Sequence, residues 1–431
     1  MNNPNDVVEV KRTRAIDPTR HRLSDQPRGS KTVCLPIERE TYSQIMLEAS
    51  AFRKHIDEMV ERHPELFPQG VAEGYTLHDI LPASRKLPDI RLRRVKLKTD
   101  GEVYTIRPSF VLPYMTGYTD DVEKGLFLLN FGVPFWAIAR VFGRDAMYWE
   151  RLTERLGHNS IVGTTVRQPE TLPDHLLADE KHTHLSGEKA YIATTVGGDC
   201  VLGAAMSPSA SQDDLQEAYA QFKAEAQNLK AEYQPQTVNT DGWKATIAAW
   251  TTLFPATVLV LCFLHGFIKI RDRCKRLKPA FPTICDMVWD AYHAATPEDF
   301  HAKVADLAIW AMQNLADGVP LDAVLKLCTR VDLYALAYDF PLAYRTSNMV
   351  DRHMNDMDRF LFVGKDFHGH LMTAEYRIRG WALLHNFRPY SPRSHLSDSF
   401  QSRAHRLNAT VYHDNWLHNL LVSSSMAGIR A

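Results

Sequence analysis

Two aspartates follow predicted β-strands at positions from which both could act on one substrate. Asp179 ends a predicted strand over 175–179, and Asp241 follows one over 237–240. Two ionised carboxylates about 4 Å apart repel by about 4 kcal/mol at an effective dielectric constant of about 20, and a bound divalent cation reverses the sign of that interaction. Oxygen-rich sites select Mg²⁺ or Mn²⁺, and two such ions stabilise in-line displacement at phosphorus. We therefore expect a site for two ions.

A third carboxylate is expected from a later helix. Asp351, near the start of a predicted helix over 348–362, is the candidate, and Glu375 is the alternative third acid. Each aspartate also has a structural interpretation, because aspartate often starts a turn or caps a helix. Asp241 directly precedes a predicted helix, and Asn348 with Asp351 has the form of a capping box. The predicted catalytic residues and metal ligands are Asp179, Asp241 and Asp351.

The elements around these residues alternate between strand and helix. Three strands in a meander, then helix, strand, helix and strand, is the order of an RNase H-like α/β core. In such a sheet the first and fourth strands are parallel neighbours, so Asp179 and Asp241 meet at one edge. The predicted segments are strands 175–179, 189–196, 201–206, 237–240 and 257–264 and helices 213–232 and 244–253. An all-α insertion is predicted over 266–340.

Three short helices are predicted before this core, over 121–129, 134–142 and 145–156. One side of the third carries Arg144, Tyr148, Arg151 and Arg155, at spacings of four, three and four. In a helix-turn-helix the last helix enters the major groove, where such a row supplies donors to phosphates and base edges. A three-helix bundle with a solvated arginine face is the structural alternative. The sequence predicts a mainly helical DNA-binding region before the core.

Two further segments concentrate positive charge. A predicted hairpin, with strands over 89–98 and 103–106, has a basic first strand that contains Arg91, Arg93, Arg94, Lys96 and Lys98. A phosphate backbone or plain solvent would account for that strand equally well, since charge also protects edge strands from pairing. Lys269, Arg271 and Arg273 form a second basic segment. A helix there suits a DNA backbone, although a solvated helix face is the usual meaning of such a run.

Cys262 and His265 form a CxxH pair just before that basic segment. The spacing supplies two zinc ligands, whereas a structural zinc site needs four. His182 and His184 are the residues that would complete such a site across the sheet. We favour the alternative, in which Cys262 packs in the core and His265 orients DNA or a carboxylate near the metal ions.

Several stretches together resemble the DDE/DDD transposases, most closely the Mutator-like and related bacterial insertion-sequence enzymes. The resemblance covers about residues 120–388. Asp179 and Asp241 match the first two acidic positions of that family, and Cys262 with His265 resembles its CxxH. Residues 346–348 before Asp351 and residues 380–387 resemble two later stretches. The third acid of the family is usually Glu, whereas Asp351 stands here.

The resemblance implies an RNase H-like catalytic core interrupted by an all-α insertion. It further implies a DNA transposase that cleaves mobile-element ends and transfers the strands, with Mg²⁺ (or Mn²⁺) held by Asp179, Asp241 and Asp351. Double-stranded DNA and a homo-oligomer on DNA are the implied partners. Two alternatives remain open: a catalytically inactive DNA-binding protein of transposase descent, and an RNase H-like nuclease without strand transfer.

Length and composition limit the remaining possibilities. A chain of 431 residues predicts two or three folded units. Its 50 basic and 51 acidic residues leave a net charge of -1, so any DNA-binding surface must be local. The chain has six cysteines without CxxC pairs and no leader, and its apolar run over 258–264 is too short to span a membrane. We therefore expect a soluble, cytoplasmic and nucleoid-associated protein.

The predicted domains are a flexible arm (1–31), an N-terminal helix with the basic hairpin (32–116), a helix-turn-helix-like region (117–165), the catalytic core (170–265 plus 341–390), the helical insertion (266–340) and a C-terminal tail (391–431).

Overall fold

The chain forms a mixed α/β structure with two mixed sheets and many helices. A computed structural model describes residues 30–394 and 399–430. The predicted arm over 1–31 lies outside the described residues except for its last two. None of the helices in the described part is long and apolar enough to cross a membrane.

The first sheet is a four-stranded mixed sheet with the order β1-β4-β3-β2, in which β1 and β4 are parallel. Its elements are β1 (Thr32–Leu35), α1 (Arg39–Ile45), α2 (Ala49–Arg62), β2 (Tyr75–Leu81), β3 (Leu92–Leu97) and β4 (Val103–Pro108). The predicted hairpin is β3–β4. The prediction of a mainly helical region is wrong here, because this part of the chain forms a four-stranded sheet. Two of its strands gave no clear signal in the sequence, since β1 has four residues and β2 lacks clear alternation between apolar and polar positions.

The basic strand differs from its prediction at two arginines. Arg93 is buried and donates hydrogen bonds of 3.2 and 2.7 Å to the carbonyl of Met46, where α1 ends. Arg94 forms an ion pair with Asp79 of β2. Both side chains therefore serve the fold of this sheet, and Arg91, Lys96 and Lys98 are the exposed basic residues of the segment.

Four helices follow, and the first three confirm the predicted trio. They are α3 (Asp120–Leu129), α4 (Phe135–Phe142), α5 (Ala146–Leu156) and α6 (Ile161–Thr165). Trp149 of α5 is buried against Gly125 of α3, where an added β-carbon would lie 2.5 Å from the indole ring. The glycine is what allows the tryptophan to fill the centre of the bundle.

The second sheet has five strands in the order β7-β6-β5-β8-β9. Its elements are β5 (His175–Leu185), β6 (Glu188–Gly197), β7 (Cys200–Ser207), α7 (Gln212–Leu229), β8 (Thr237–Thr240), α8 (Lys244–Leu253) and β9 (Val258–Leu261). β5, β6 and β7 are antiparallel, whereas β8 and β9 run parallel to β5. The five predicted strands and two predicted helices are confirmed in order, but the last strand ends at Leu261, and residues 263–264, predicted as strand, begin the next helix. Asp179 lies inside β5 and does not end it, because β6 pairs with β5 as far as Leu185.

Helices occupy the rest of the described chain. They are α9 (Phe263–Cys274), α10 (Ala280–Tyr292), α11 (Pro297–Asn314), α12 (Val319–Cys328), α13 (Val331–Ala335), α14 (Asn348–Gly364), α15 (Leu371–Phe387), α16 (Arg403–Asn408) and α17 (Trp416–Ser423). Helices α9 to α13 confirm the strand-free stretch and have their own hydrophobic cluster, which includes Leu261 at the end of β9.

The C-terminal segment, predicted as a tail, is built into the core. Every residue of α17 is buried, and the helix packs against α15 and β1. Ser425, just beyond it, accepts a hydrogen bond from the backbone N–H of Cys34 and donates one to the carbonyl of Leu66. The prediction of a tail is wrong because the apolar residues Trp416, Leu417, Leu420, Leu421 and Val422 pack into the core, and Ser425 bonds to the backbone of the N-terminal region.

Candidate functional site

The register of two parallel strands positions the first two aspartates. β5 pairs with β8 from His175 to Leu177, and Leu177 lies opposite Asn239. Asp179 and Asp241 each come two residues after that pair. Since side chains alternate along a strand, both aspartates leave the sheet at the same level. The predicted meeting of strands is therefore present, although β5 continues beyond Asp179.

A group of two aspartates and one histidine lies beside this point. One possible ligand atom from each of Asp179, His265 and Asp351 lies within 4.8 Å of the other two. The three residues come from β5, α9 and α14, and each is partly accessible to solvent. Among the described residues this is the group whose spacing could hold a metal ion.

Asp241 lies near this group but outside it. Its Oδ1 accepts a 2.8 Å hydrogen bond from the backbone N–H of Trp243, which tightens the turn between β8 and α8. The turn-forming interpretation of Asp241 is thus present in the structure. Its carboxylate is nevertheless close enough to influence the ionisation of Asp179.

Ser347 connects the CxxH pair with Asp351. Its hydroxyl donates a 2.8 Å hydrogen bond to Asp351 Oδ2 and lies 3.4 Å from His265 Nδ1. Cys262 Sγ lies 3.3 Å from that hydroxyl and accepts a 3.2 Å hydrogen bond from the Ser347 backbone N–H. Because its one proton goes to Asp351, the Ser347 oxygen acts as an acceptor for the other two groups. The sequence does not point to this role of Ser347, which follows from its position between the CxxH pair and Asp351 in the folded chain.

The electrostatics of the group follow from burial and close charges. Burial raises the pKa of the Asp179 carboxyl to about 6, and the nearby carboxylates of Asp241 and Asp351 contribute to this rise. The pKa of His265 is raised to about 9, first by its hydrogen bond with Cys262 and then by nearby negative charge. Burial opposes ionisation of Cys262, but its hydrogen bond with His265 lowers the pKa of the thiol. The site carries an excess of acidic groups that a cation would compensate.

Glu180, on the other face of the sheet from Asp179, is a buried acid that the sequence did not point to. Its Oε1 accepts hydrogen bonds from Tyr219 (2.7 Å) and Thr246 (2.8 Å) of α7 and α8. Burial raises the pKa of Glu180 to about 7, with further contributions from Asp179 and Asp241. Strand alternation separates it from its neighbour Asp179. The available signal was a second acid within an apolar strand.

Glu375, the alternative third acid, lies elsewhere. It is buried in α15, where its carboxylate accepts hydrogen bonds from the backbone N–H of Met206 (3.1 Å) and from Gln221 (3.0 Å). Those partners belong to β7 and α7, at the far edge of the sheet from β8 and β9. Asp351 is therefore the later acid that lies beside Asp179.

The histidines considered for a zinc site do not join the CxxH pair. His182 packs its ring against Tyr191, and His184 Nδ1 lies 3.1 Å from Asp366. His265 instead faces two carboxylates. The donor set near His265 is thus mainly oxygen, unlike that of a structural zinc centre.

The predicted DNA-binding residues divide into exposed and covered ones. Lys269, Arg271 and Arg273 are exposed on α9, and Arg271 contacts the neighbouring Asp272 at 3.3 Å. Lys269 and Arg273 follow His265 at steps of four residues and so continue its side of the helix.

The row on α5 is partly covered by residues 112–117. The placement of Arg144 on the helix is wrong, because Arg144 comes before the N-cap Asp145 with a φ of 64°. Arg144 and Arg151 are exposed, whereas Tyr148 is half-buried and Arg155 stacks over the ring of Tyr114 at 5.4 Å. Tyr114 is 57% exposed and has a φ of 60°, which is unusual for a tyrosine. The accessible surface therefore consists of α5 together with this loop. The helical periodicity of α5 in the sequence could not reveal that the loop takes part.

The residues of the Asp179 group fit a divalent cation. Two ligands bound to one Mg²⁺ or Mn²⁺ at about 2.1 Å lie at most about 4.2 Å apart, so the group needs to contract by less than about 1 Å. Two carboxylates suit these hard ions, and an imidazole nitrogen favours a transition metal ion. Asp241 would supply a further oxygen for a second ion through Oδ2, since the Trp243 N–H engages only Oδ1.

Neither the protein-family models nor the curated proteins include a match to this chain.

Proposed function

We propose that this protein is a DNA transposase that cleaves the ends of a mobile element and transfers the cut strands, using divalent cations. The observation that carries the proposal is the group of Asp179, His265 and Asp351, with Asp241 at the equivalent position of the neighbouring strand. A carboxylate-rich group at the carboxyl end of parallel strands is where α/β sheets place their chemistry.

The order of the five-stranded sheet supports an RNase H-like core. On one side, β5 continues into an antiparallel run with β6 and β7. On its other side lie β8 and β9, which run parallel to β5. The helices α9 to α13 interrupt this core between β9 and α14, as the resemblance to Mutator-like transposases implies.

The site residues have separate tasks in this proposal. Bound Mg²⁺ or Mn²⁺ ions supply an activated water or 3′-hydroxyl and stabilise charge on the phosphate. Asp179 and Asp351 would hold the cations with Asp241, and His265 would release a proton and contribute the ring nitrogen that does not face Ser347. Ser347 orients both Asp351 and His265 through its hydroxyl.

The DNA would approach along two surfaces of positive charge. Helix α9 begins at the site and presents Lys269 and Arg273 beyond His265, which suits a phosphate backbone leaving the site. The surface of α5 with Arg144 and Arg151 is the candidate for binding the element end. Since two ends must be joined, a homo-oligomer on DNA is expected.

The decisive experiment uses a plasmid that carries the DNA flanking the gene on both sides. Wild-type protein with Mg²⁺ or Mn²⁺ should nick at defined positions and join the ends to target DNA. Asp241→Asn should abolish cleavage while DNA binding remains, and Asp306→Asn, which changes an exposed acid of α11, serves as the control. Cleavage that persists in Asp241→Asn would contradict the proposal.

The two alternative functions give different outcomes in the same assay. Cleavage without joining, even when a pre-cut end is supplied, identifies a nuclease. Binding without any metal-dependent cleavage identifies an inactive DNA-binding protein.

A further inference from the structure

The helical insertion reaches the candidate site through α12 and α13. Tyr334 of α13 covers the start of α9, with its hydroxyl 2.8 Å from where a β-carbon would lie at Gly266. Helix α13 also contacts β9, whose last residue Leu261 belongs to the hydrophobic cluster of the insertion. The junction between α12 and α13 is therefore held beside the carboxyl end of the sheet.

Arg330 occupies that junction, and its guanidinium lies beside Gly242. Its Nη1 lies 3.7 Å from where a β-carbon would lie at Gly242, the residue after Asp241. The backbone carbonyl of Arg330 accepts N–H groups of Leu333 and Tyr334 at 3.0 and 3.4 Å. The start of α13 thereby fixes the backbone from which this side chain extends.

The guanidinium of Arg330 lacks an acceptor within the described part of the protein. None of the described residues accepts a hydrogen bond from it or lies within ion-pair distance of it, although the side chain is half-buried. Arg345, also near α9, contrasts with it, since it donates to Tyr338 and stacks on two tyrosine rings. A half-buried charge without a partner is unfavourable unless a ligand supplies one.

We propose that Arg330 binds a phosphate oxygen of the DNA strand held at the Asp179 group. This inference rests on the proposed function, which supplies the phosphodiester. A guanidinium matches phosphate with two parallel hydrogen bonds, and three nearby carboxylates leave a shortage of positive charge where the strand must lie. Arg330 would make the insertion a part of the substrate site.

The test compares DNA with and without a charge on one phosphate. The cleaved position is first mapped with the wild-type protein on the flanking DNA. A duplex with a neutral methylphosphonate at that position is then compared with the unmodified duplex, in Ca²⁺ for binding and in Mn²⁺ for cleavage. The variants are Arg330→Gln, Arg330→Lys and the control Lys326→Gln, an exposed lysine one turn earlier on α12.

Arg330→Gln should weaken binding of the unmodified duplex about ten- to hundredfold, the effect of a charge-assisted hydrogen bond, and Arg330→Lys should lose less. On the methylphosphonate duplex, Arg330→Gln and wild type should bind equally. Equal losses on both duplexes, or a loss no larger than that of Lys326→Gln, would overturn the inference. Wild-type protein that neither binds nor cleaves DNA would instead refute the proposed function. Unchanged melting temperatures establish that the variants are folded.

Discussion

Asp179 and Asp241 occupy equivalent positions on two parallel strands, each two residues beyond the register pair Leu177–Asn239. This relationship is a consequence of strand pairing and does not depend on side-chain conformation. One oxygen of Asp241 accepts the Trp243 N–H, which fixes the start of the turn after β8.

The two later acids should respond differently to neutralisation. Asp351→Asn should reduce metal-dependent cleavage about a thousandfold, because cation stabilisation of the reaction is worth several kcal/mol. Glu375→Gln should leave the chemistry intact but reduce stability by about 1 to 3 kcal/mol, since its buried carboxylate accepts the Met206 N–H. Single-turnover cleavage and urea unfolding measure the two effects. A large loss of cleavage in folded Glu375→Gln would contradict the assignment.

Ser347→Ala should weaken cation binding with little effect on helix stability. The hydroxyl bonds to Asp351 and faces His265, while it makes no capping bond to α14. Loss of such a supporting residue costs about ten- to a hundredfold in metal affinity. Titration calorimetry with Mn²⁺ measures the change. An affinity equal to that of the wild type would show that Ser347 does not orient the ligands.

His265→Asn should reduce the preference for Mn²⁺ over Mg²⁺. An imidazole nitrogen favours transition metal ions, whereas carboxylates alone bind both ions as hard cations. Competition between the two ions, followed by the electron paramagnetic resonance signal of free Mn²⁺, gives the ratio of affinities. If the ratio is the same in the variant, His265 does not contact the cation.

Stability should fall in acid through Glu65, which links the N- and C-terminal regions. Burial opposes its ionisation, but hydrogen bonds from His63 and Tyr412 and the charge of Arg167 lower the pKa of Glu65 from 4.5 to about 2. A lowered carboxyl pKa stabilises the fold above the unfolded value and loses that effect as the pH falls from 4.5 toward 2.

After allowance for solvent screening, this contribution of Glu65 is about 1 to 2 kcal/mol. The free energy of unfolding in urea, measured from pH 6 to about 3, gives this contribution as the difference between wild type and Glu65→Gln in the slope of that free energy against pH. Glu65→Gln should lose less stability over this interval. Parallel curves would mean that another carboxyl carries the acid sensitivity.

Helix α5 should depend on a glycine in α15. A β-carbon at Gly380 would lie 2.1 Å from the carbonyl oxygen of Thr153, a distance that forces the helices apart. Gly380→Ala should cost at least about 2 kcal/mol, as overpacking of a core does. Gly364→Ala, whose new carbon would meet only Arg377 at 3.6 Å, is the control. Equal melting temperatures for the two variants would contradict the close crossing.

Local patterns predicted the central sheet because its strands are apolar and its turns short. The order of strands and helices from β5 to β9 followed from such patterns, and so did the helical run after β9. β1 was missed because it has only four residues. Helix α17 has an apolar signal in Leu417, Leu420 and Leu421, but it is short and surrounded by polar residues, and its burial depends on contacts with β1 and α15.

The candidate site was predictable in part for the same reason. Asp179 and Asp241 could be placed together from strand order alone. Choosing between Asp351 and Glu375 required knowledge of how α14 and α15 pack, and the link through Ser347 required atomic positions. Arg330 gave no local signal, because only the fold of the insertion brings it to Gly242.

The most direct test of the metal site is a crystal structure of the protein soaked in Mn²⁺, with anomalous data collected at the manganese edge. A peak about 2.1 to 2.3 Å from carboxylate oxygens of Asp179 and Asp351 and from a ring nitrogen of His265 is expected. Clear density for these side chains with no anomalous peak among them would contradict the account.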